Sequence, residues 1–139
     1  MATVIVDEFR KYFSNLTATN DICSVLGTTF TEGTNLFVGM EPPKKNNCLT
    51  IIPFAGSPPS PEGDRHDSIV QLRLKTEQRK KGLETMQSII NTLHNNTTVC
   101  SSTNGRIEST TSIPFIAEVH EGGQYVIIVS NFHTKYIKI

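Results

Sequence analysis

Tryptophan is absent, aromatic residues are few, with three tyrosines and seven phenylalanines, and no apolar run is long enough to cross a bilayer as a helix. An excess of either charge is missing too. Thirteen Lys and Arg offset thirteen Asp and Glu, at a sequence pI near 6.9. This balance excludes the global basic field of a general nucleic-acid or anionic-membrane binder and leaves any contact with DNA to local patches. It also leaves little electrostatic resistance to self-association. Cysteine is sparse. Cys23, Cys48 and Cys100 fit neither metal-ligand spacing nor a small disulfide framework, so they read as reduced, partly buried thiols. The stretch Met1 to Phe13 carries Asp7, Glu8, Arg10 and Lys11, which is no secretory hydrophobic region, and the expected compartment is cytosol. Against that background the Asn-x-Thr matches at Asn15, Asn95 and Asn96 read as chance.

The motifs of common chemistry are also missing. There is no G-x-S-x-G elbow, no Walker A loop and no G-x-G-x-x-G. His66, His94, His120 and His133 form no pair at His-x-x-x-His spacing and read as surface or structural residues. Glu62, Asp64 and His66 fall in a Pro-rich stretch, where solvated charge is the plainer account than a metal site. No catalytic residue, metal or cofactor is expected. What composition does support is a globular protein: 139 residues, 37% hydrophobic and 19% charged, fit one domain with one modest core.

Periodicity then gives the elements. Val6, Phe9, Phe13 and Leu16 recur at helical spacing and predict an amphipathic helix over about 3–17. Thr17 to Asn35 reads as a loop with at most one helical turn. Leu36–Val38 and Cys48–Phe54 read as short strands, the second ending at Pro53 or placing it away from a neighbour, because proline lacks the amide hydrogen. Ala55 to Asp67 reads as a polar projecting loop. Val70 to Lys75 alternates cleanly and is the clearest strand. Thr76 is a candidate cap, and Leu83, Met86, Ile90 and Leu93 predict a helix over about 77–95. Gly82 inside it costs about 1 kcal/mol relative to Ala, which calls for close approach of helix and sheet. Residues 96–112 read as a long polar loop. Ile113, Phe115, Ala117 and Val119 alternate with Pro114, Ile116, Glu118 and His120, and Gly122-Gly123 turns the chain into a last strand from Tyr125 to Phe132, with His133 to Ile139 extending it or forming a tail. The order implies an α+β fold: a mostly antiparallel sheet of four to five strands with two main helices on one face.

The succession of Asn35 to Gly39 (NLFVG), the Pro-containing turn, Cys48 to Phe54 (CLTIIPF), Ile69 to Thr76 (IVQLRLKT), the helix GLETMQSIINTLHN and the final hairpin resembles a known family. It is similar to the phage minor capsid and tail terminator, or tail completion, proteins of long-tailed bacteriophages, over about residues 3–133. The strand reads LRLKT where that family often has a second arginine, and Gly82 stands where a small alanine is common. The resemblance implies a non-enzymatic virion protein of the tail or neck, assembled in the host cytoplasm. Such proteins form a ring, six-fold in known cases, that caps the tail tube and presents a surface to the head connector. Its implied partners are copies of itself, the tail tube protein, the connector or neck proteins, the tail sheath as a further contact, and DNA passing the lumen without sequence-specific binding; no membrane is involved. Helices and sheet edges would make ring contacts, and the loops at 55–67 and 96–112 would reach neighbouring rings. The candidate interface residues are Lys44, Lys45, Ser57, Glu62, Asp64, Arg65, Arg79, Lys80, Lys81 and Arg106. The competing readings are another head-to-tail joining ring, a small intracellular enzyme with an unrecognised Cys/His or Asp/His site, and a monomeric regulatory module.

Overall fold

The computed structural model describes residues 2–40, 47–54, 65–100, 105–120 and 125–137. It is α+β: helix α1 (Ala2–Ser14), a single turn α2 (Asp21–Ser24), strands β1 (Leu36–Val38), β2 (Cys48–Phe54) and β3 (Arg65–Thr76), helix α3 (Arg79–Leu93), and strands β4 (Arg106–Ser109), β5 (Phe115–His120) and β6 (Tyr125–Ile137). The sheet has six strands, more than the four to five expected. Its order is β1-β2-β3-β6-β4, with β5 also paired to β6. Every pairing is antiparallel except β1 with β2.

The centre is the β3–β6 pair, in register from Arg65 opposite Ile137 to Thr76 opposite Val126. Side chains alternate between the faces of a strand, so Val70, Leu72 and Leu74 share one face with Phe132, Ser130 and Ile128 across from them. Both long helices pack there. The Phe9 ring of α1 lies 6.4 Å from Phe132, and Gly82 of α3 lies over Ile128, Thr76 and Leu74. Ile5, Phe9 and Phe13 from α1, Ile22 and Cys23 from α2, and Met86, Ile89, Ile90 and Leu93 from α3 complete the core. The spacing in α1 and α3 is the amphipathic repeat read from the sequence, although α1 ends at Ser14 and Leu16 packs beyond it, half-buried.

Local chemistry explains the joints. The α2 turn is capped by Asn20, whose Oδ1 accepts the Ile22 N–H at 2.9 Å. Leu49 N–H donates to Asn35 O at 2.8 Å, and Gly39 N–H donates to Ile51 O at 2.9 Å. Backbone alternation therefore points the Pro53 nitrogen to the β1 side, past the end of β1, so β2 runs through the proline without losing a ladder bond. The N-cap of α3 is Gln78, which makes no side-chain cap bond. Thr76, the expected cap, instead ends β3: its hydroxyl accepts the Gln78 N–H at 3.0 Å and donates to Asn47 Oδ1 at 2.6 Å.

Two further expectations are corrected, and two open points are decided. Arg65 to Asp67, read as loop, begin β3; residues 55–64 of that loop lie outside the described residues. The stretch 96–112 contains strand β4, because Val99, Cys100 and Ile107 pack against the core and Asn95 and Asn96 bond both backbone groups of Ile107 at 2.7 and 3.0 Å. In β5 the core-facing residue is Ile116, whereas Phe115, Ala117 and Val119 are exposed. Register on β6 decides this, pairing Ile116 with Ile128 on the helix side and Phe115 with Val129 on the other, and a bulge between Ile116 and Glu118 then sets Val119 opposite Val126. Of the two readings for the stretch from His133, the structure shows the extension, β6 running to Ile137 because β3 is long enough to pair with it as far as Arg65.

Gly82 is where helix and sheet meet. A Cβ there would sit 2.6 Å from Ile128 Cδ1 and 2.6 Å from Thr76 Cγ2. Ile128 can shift its terminal methyl, but Thr76 is held by its two hydrogen bonds. Gly82→Ala is therefore expected to destabilise by about 1–2 kcal/mol, overpacking outweighing the helix-propensity gain; urea denaturation measures it, and a gain in stability would contradict this packing.

Candidate interaction surface

The sequence-predicted interface residues divide by location. Lys44, Lys45, Ser57, Glu62 and Asp64 lie outside the described residues. Arg65 opens β3. Arg79, Lys80 and Lys81 form the exposed first turn of α3. Arg106 is exposed on β4, donating to Glu108 Oε1 at 2.6 Å, with Lys135 Nζ 3.5 Å from the same carboxylate. Tertiary structure does not bring these basic groups together: α3 starts over the Thr76 end of the sheet and finishes beside β4, about 22 Å away for fifteen residues at 1.5 Å each. The basic turn opposes the helix dipole, with three cations at the positive end and no acidic residue in that turn. Helix stability therefore does not account for these residues, which are free to serve a surface contact.

The sheet face away from the helices is bound by polar contacts that cross strands. Arg73 of β3 donates to Glu118 of β5 at 2.6 Å and to Gln71 at 3.3 Å, and Gln71 donates to Asn131 of β6 at 3.0 Å. Lys75 Nζ stands 5.3 Å from the centroid of the Tyr125 ring. At the other side of the fold, Arg10 joins α1 to the turn before β1, donating to Asp7 and, at 2.7 Å, to Glu32. The Arg10 guanidinium holds the Asp7 carboxyl below its ordinary range. Arg106 does the same to Glu108.

Several titratable groups among the described residues are buried. All three thiols are buried and free. Burial pushes Cys100 far up, aided by the Glu8 carboxyl beside it, and pushes Cys23 up. Both are therefore thiols, not thiolates, at neutral pH. Glu8, on α1, has both carboxyl oxygens shut off from solvent, and that burial raises its pKa. His94 ends α3, its Nδ1 accepting the Ser109 N–H at 3.1 Å. It borders an open groove of about 430 Å³ with Ile90, Asn91 and Ser109 to Ser112. Among the described residues no three His, Cys, Asp or Glu side chains converge as a metal site, and no helix is long and apolar enough to cross a membrane.

Sequence reasoning missed a second class of surface residue. Val38, Met40, Phe54, Ile113, Phe115 and Val119 are large, apolar and exposed. The run Ile113-Pro114-Phe115-Ile116, apolar without a break, was the available signal, since an edge strand wet on one face would alternate.

The family model described as bacteriophage tail terminator protein matches residues 15–135, a span that holds every element from α2 onward and all but the end of β6. No curated protein matches the chain.

Two measurements probe these groups. Glu8 is protonated more readily in the folded than in the unfolded chain, so the folded state holds the extra proton and stability falls as pH rises from about 4.5. Glu8→Gln keeps the neutral form, and its melting temperature relative to the parent should climb between pH 4 and 8; a pH-independent difference would mean that the carboxyl does not titrate in the fold. Replacing Arg79 and Lys80 with Glu should raise the melting temperature by about 1–3 °C at low salt, and less at high salt, by favouring the helix dipole. A lowered melting temperature in both salts would show that these cations stabilise the fold.

Proposed function

The chain belongs to the bacteriophage tail terminator family, and we propose that it forms a ring, six-fold in keeping with the resemblance, that caps the finished tail tube, stops its polymerisation and offers the attachment surface for the head connector. A structural role in the phage tail, in contact with other tail components, follows from family membership itself. The observation that carries the finer reading is the extent of the match, residues 15–135, which takes in the whole sheet apart from the last residues of β6. That match favours a terminator over another neck ring.

The physics of such a role is one of surfaces. A ring subunit uses two different patches, one for each neighbour, and the contact repeats until it closes. A tube stops growing when its end is covered by a protein whose far side does not copy the tube subunit's own docking surface. The present fold offers distinct sides: one built by α1 and α3, one by the polar-bridged sheet, plus the sheet edges. In this reading Arg79, Lys80 and Lys81 at the start of α3 and Arg106 on β4 make polar contacts with tube or connector. Lys44, Lys45, Ser57, Glu62, Asp64 and Arg65 add contacts to neighbouring rings, and to the sheath where the tail has one. DNA passes the lumen without sequence readout, consistent with a chain of zero net charge. Assembly takes place in the host cytoplasm, and the mature protein resides in the virion.

A phage lacking this chain is expected to produce tubes of uncontrolled length, scored by electron microscopy of lysates. Tails of normal length that fail to join heads would replace the terminator reading with that of a neck ring.

A further inference from the structure

Register sorts the side chains of the central strands between two faces. Leu74, Ile128 and Phe132 lie beneath the helices, so Arg73 and Lys75 of β3 and Ile127 and Val129 of β6 point to the face that α1 and α3 leave uncovered. Lys75 is unusual among them, because it is only 9% exposed and a lysine so enclosed ordinarily has an anion beside it. Its cross-strand neighbours, Cys48 of β2 and Ile127 of β6, are buried, and neither is a carboxylate.

Taking a charge out of water is costly unless another charge or a set of hydrogen bonds replaces the water. Among the described residues no carboxylate pairs with Lys75. Its Nζ faces the Tyr125 ring at 5.3 Å from the centroid, and the ring's negative face replaces only part of the lost hydration. Glu118 of β5 stands opposite Ile127 and so in the same row, two inter-strand steps or about 10 Å from Lys75. That carboxylate is already engaged by Arg73 at 2.6 Å. Two cations, Arg73 and Lys75, therefore meet one anion here. In the adjoining row Phe115, opposite Val129 and 42% exposed, adds an apolar side chain to the same face.

We propose that Lys75 receives a carboxylate from another protein of the tail, an Asp or Glu flanked by apolar side chains that cover Phe115. The inference rests on the terminator reading above and gives it a specific anchor. A phosphate takes several donors at once, whereas the neighbouring guanidinium is bound to Glu118 and Gln71, so a single ammonium is left and a single carboxylate matches it. Lys75 is already held against the sheet, so pairing costs it less side-chain freedom than it would cost a solvated lysine.

The test complements a phage lacking this chain with Lys75→Met, which keeps the stem and removes the charge, and with Lys75→Glu, alongside melting curves of the purified variants. Plaque titre should fall about tenfold or more with Met and further with Glu, while Lys75→Met melts close to the parent. Electron microscopy should show tubes of uncontrolled length or tails without heads. Revertants of Lys75→Glu should exchange an acidic residue of another virion protein for Lys or Arg. Normal titre for both variants, or a loss of titre that follows a lowered melting temperature, overturns the proposal and leaves the terminator reading in place. Revertants absent or confined to this chain overturn it as well, assigning Lys75 to the fold or to contacts between copies, and complete particles that fail only in passing DNA would assign it to phosphate. A phage that builds normal particles without this chain overturns both readings.

Discussion

The antiparallel pairing of β3 with β6 is the constraint to which the rest of the structure is tied. Twelve consecutive residue pairs, from Arg65–Ile137 to Thr76–Val126, fix which side chains face which way. Because the side-chain period is two, a slip of one residue would turn Val70, Leu72, Leu74, Ile128 and Phe132 away from the helices together. β2 attaches to the free side of β3, and β4 and β5 share the free side of β6, taking its later and earlier residues in turn. The helices then have one apolar face on which to lie. Gly82 sets how closely α3 does so, by leaving room for Ile128 and for the hydrogen-bonded Thr76 at the corner where strand becomes helix.

That arrangement leaves the molecule asymmetric, and the asymmetry bears on its work in the tail. One face of the sheet is filled by α1 and α3. The other is laced by Arg73, Glu118, Gln71 and Asn131, which hold β5 to the centre of the sheet. Among the described residues, the three thiols and one carboxyl on α1 are buried, and His94 accepts a backbone amide hydrogen. Among the described residues, the surface offers exposed apolar side chains and the cations of Arg79, Lys80 and Lys81.

The fold was legible in the sequence where one short stretch carries its own evidence. The alternation from Val70 to Lys75, the three- and four-residue spacing from Leu83 to Leu93 and the placement of Gly82 against the sheet all needed only local pattern. The resemblance to tail terminators likewise rested on the order of such stretches, and the family match agrees with it. The surface was less legible. The basic runs were visible as charge, yet nothing in sequence indicated that Arg79 to Lys81 and Arg106 would sit at opposite ends of one helix, or that Arg106 would be tied to Glu108.

By itself, then, the sequence determined the helices, the principal strand, the class of fold and the family, because each depends on residues a few positions apart. Tertiary structure alone decided the rest. β4 exists because Ile107 finds a buried place beside Asn95, Asn96 and β6, not because its own residues favour a strand. The phase of β5 follows from its register on β6, which pairs Ile116 with Ile128 and slips by one residue between Ile116 and Glu118. Which strands lie at the sheet's edge is settled by long-range pairing, which local pattern does not encode.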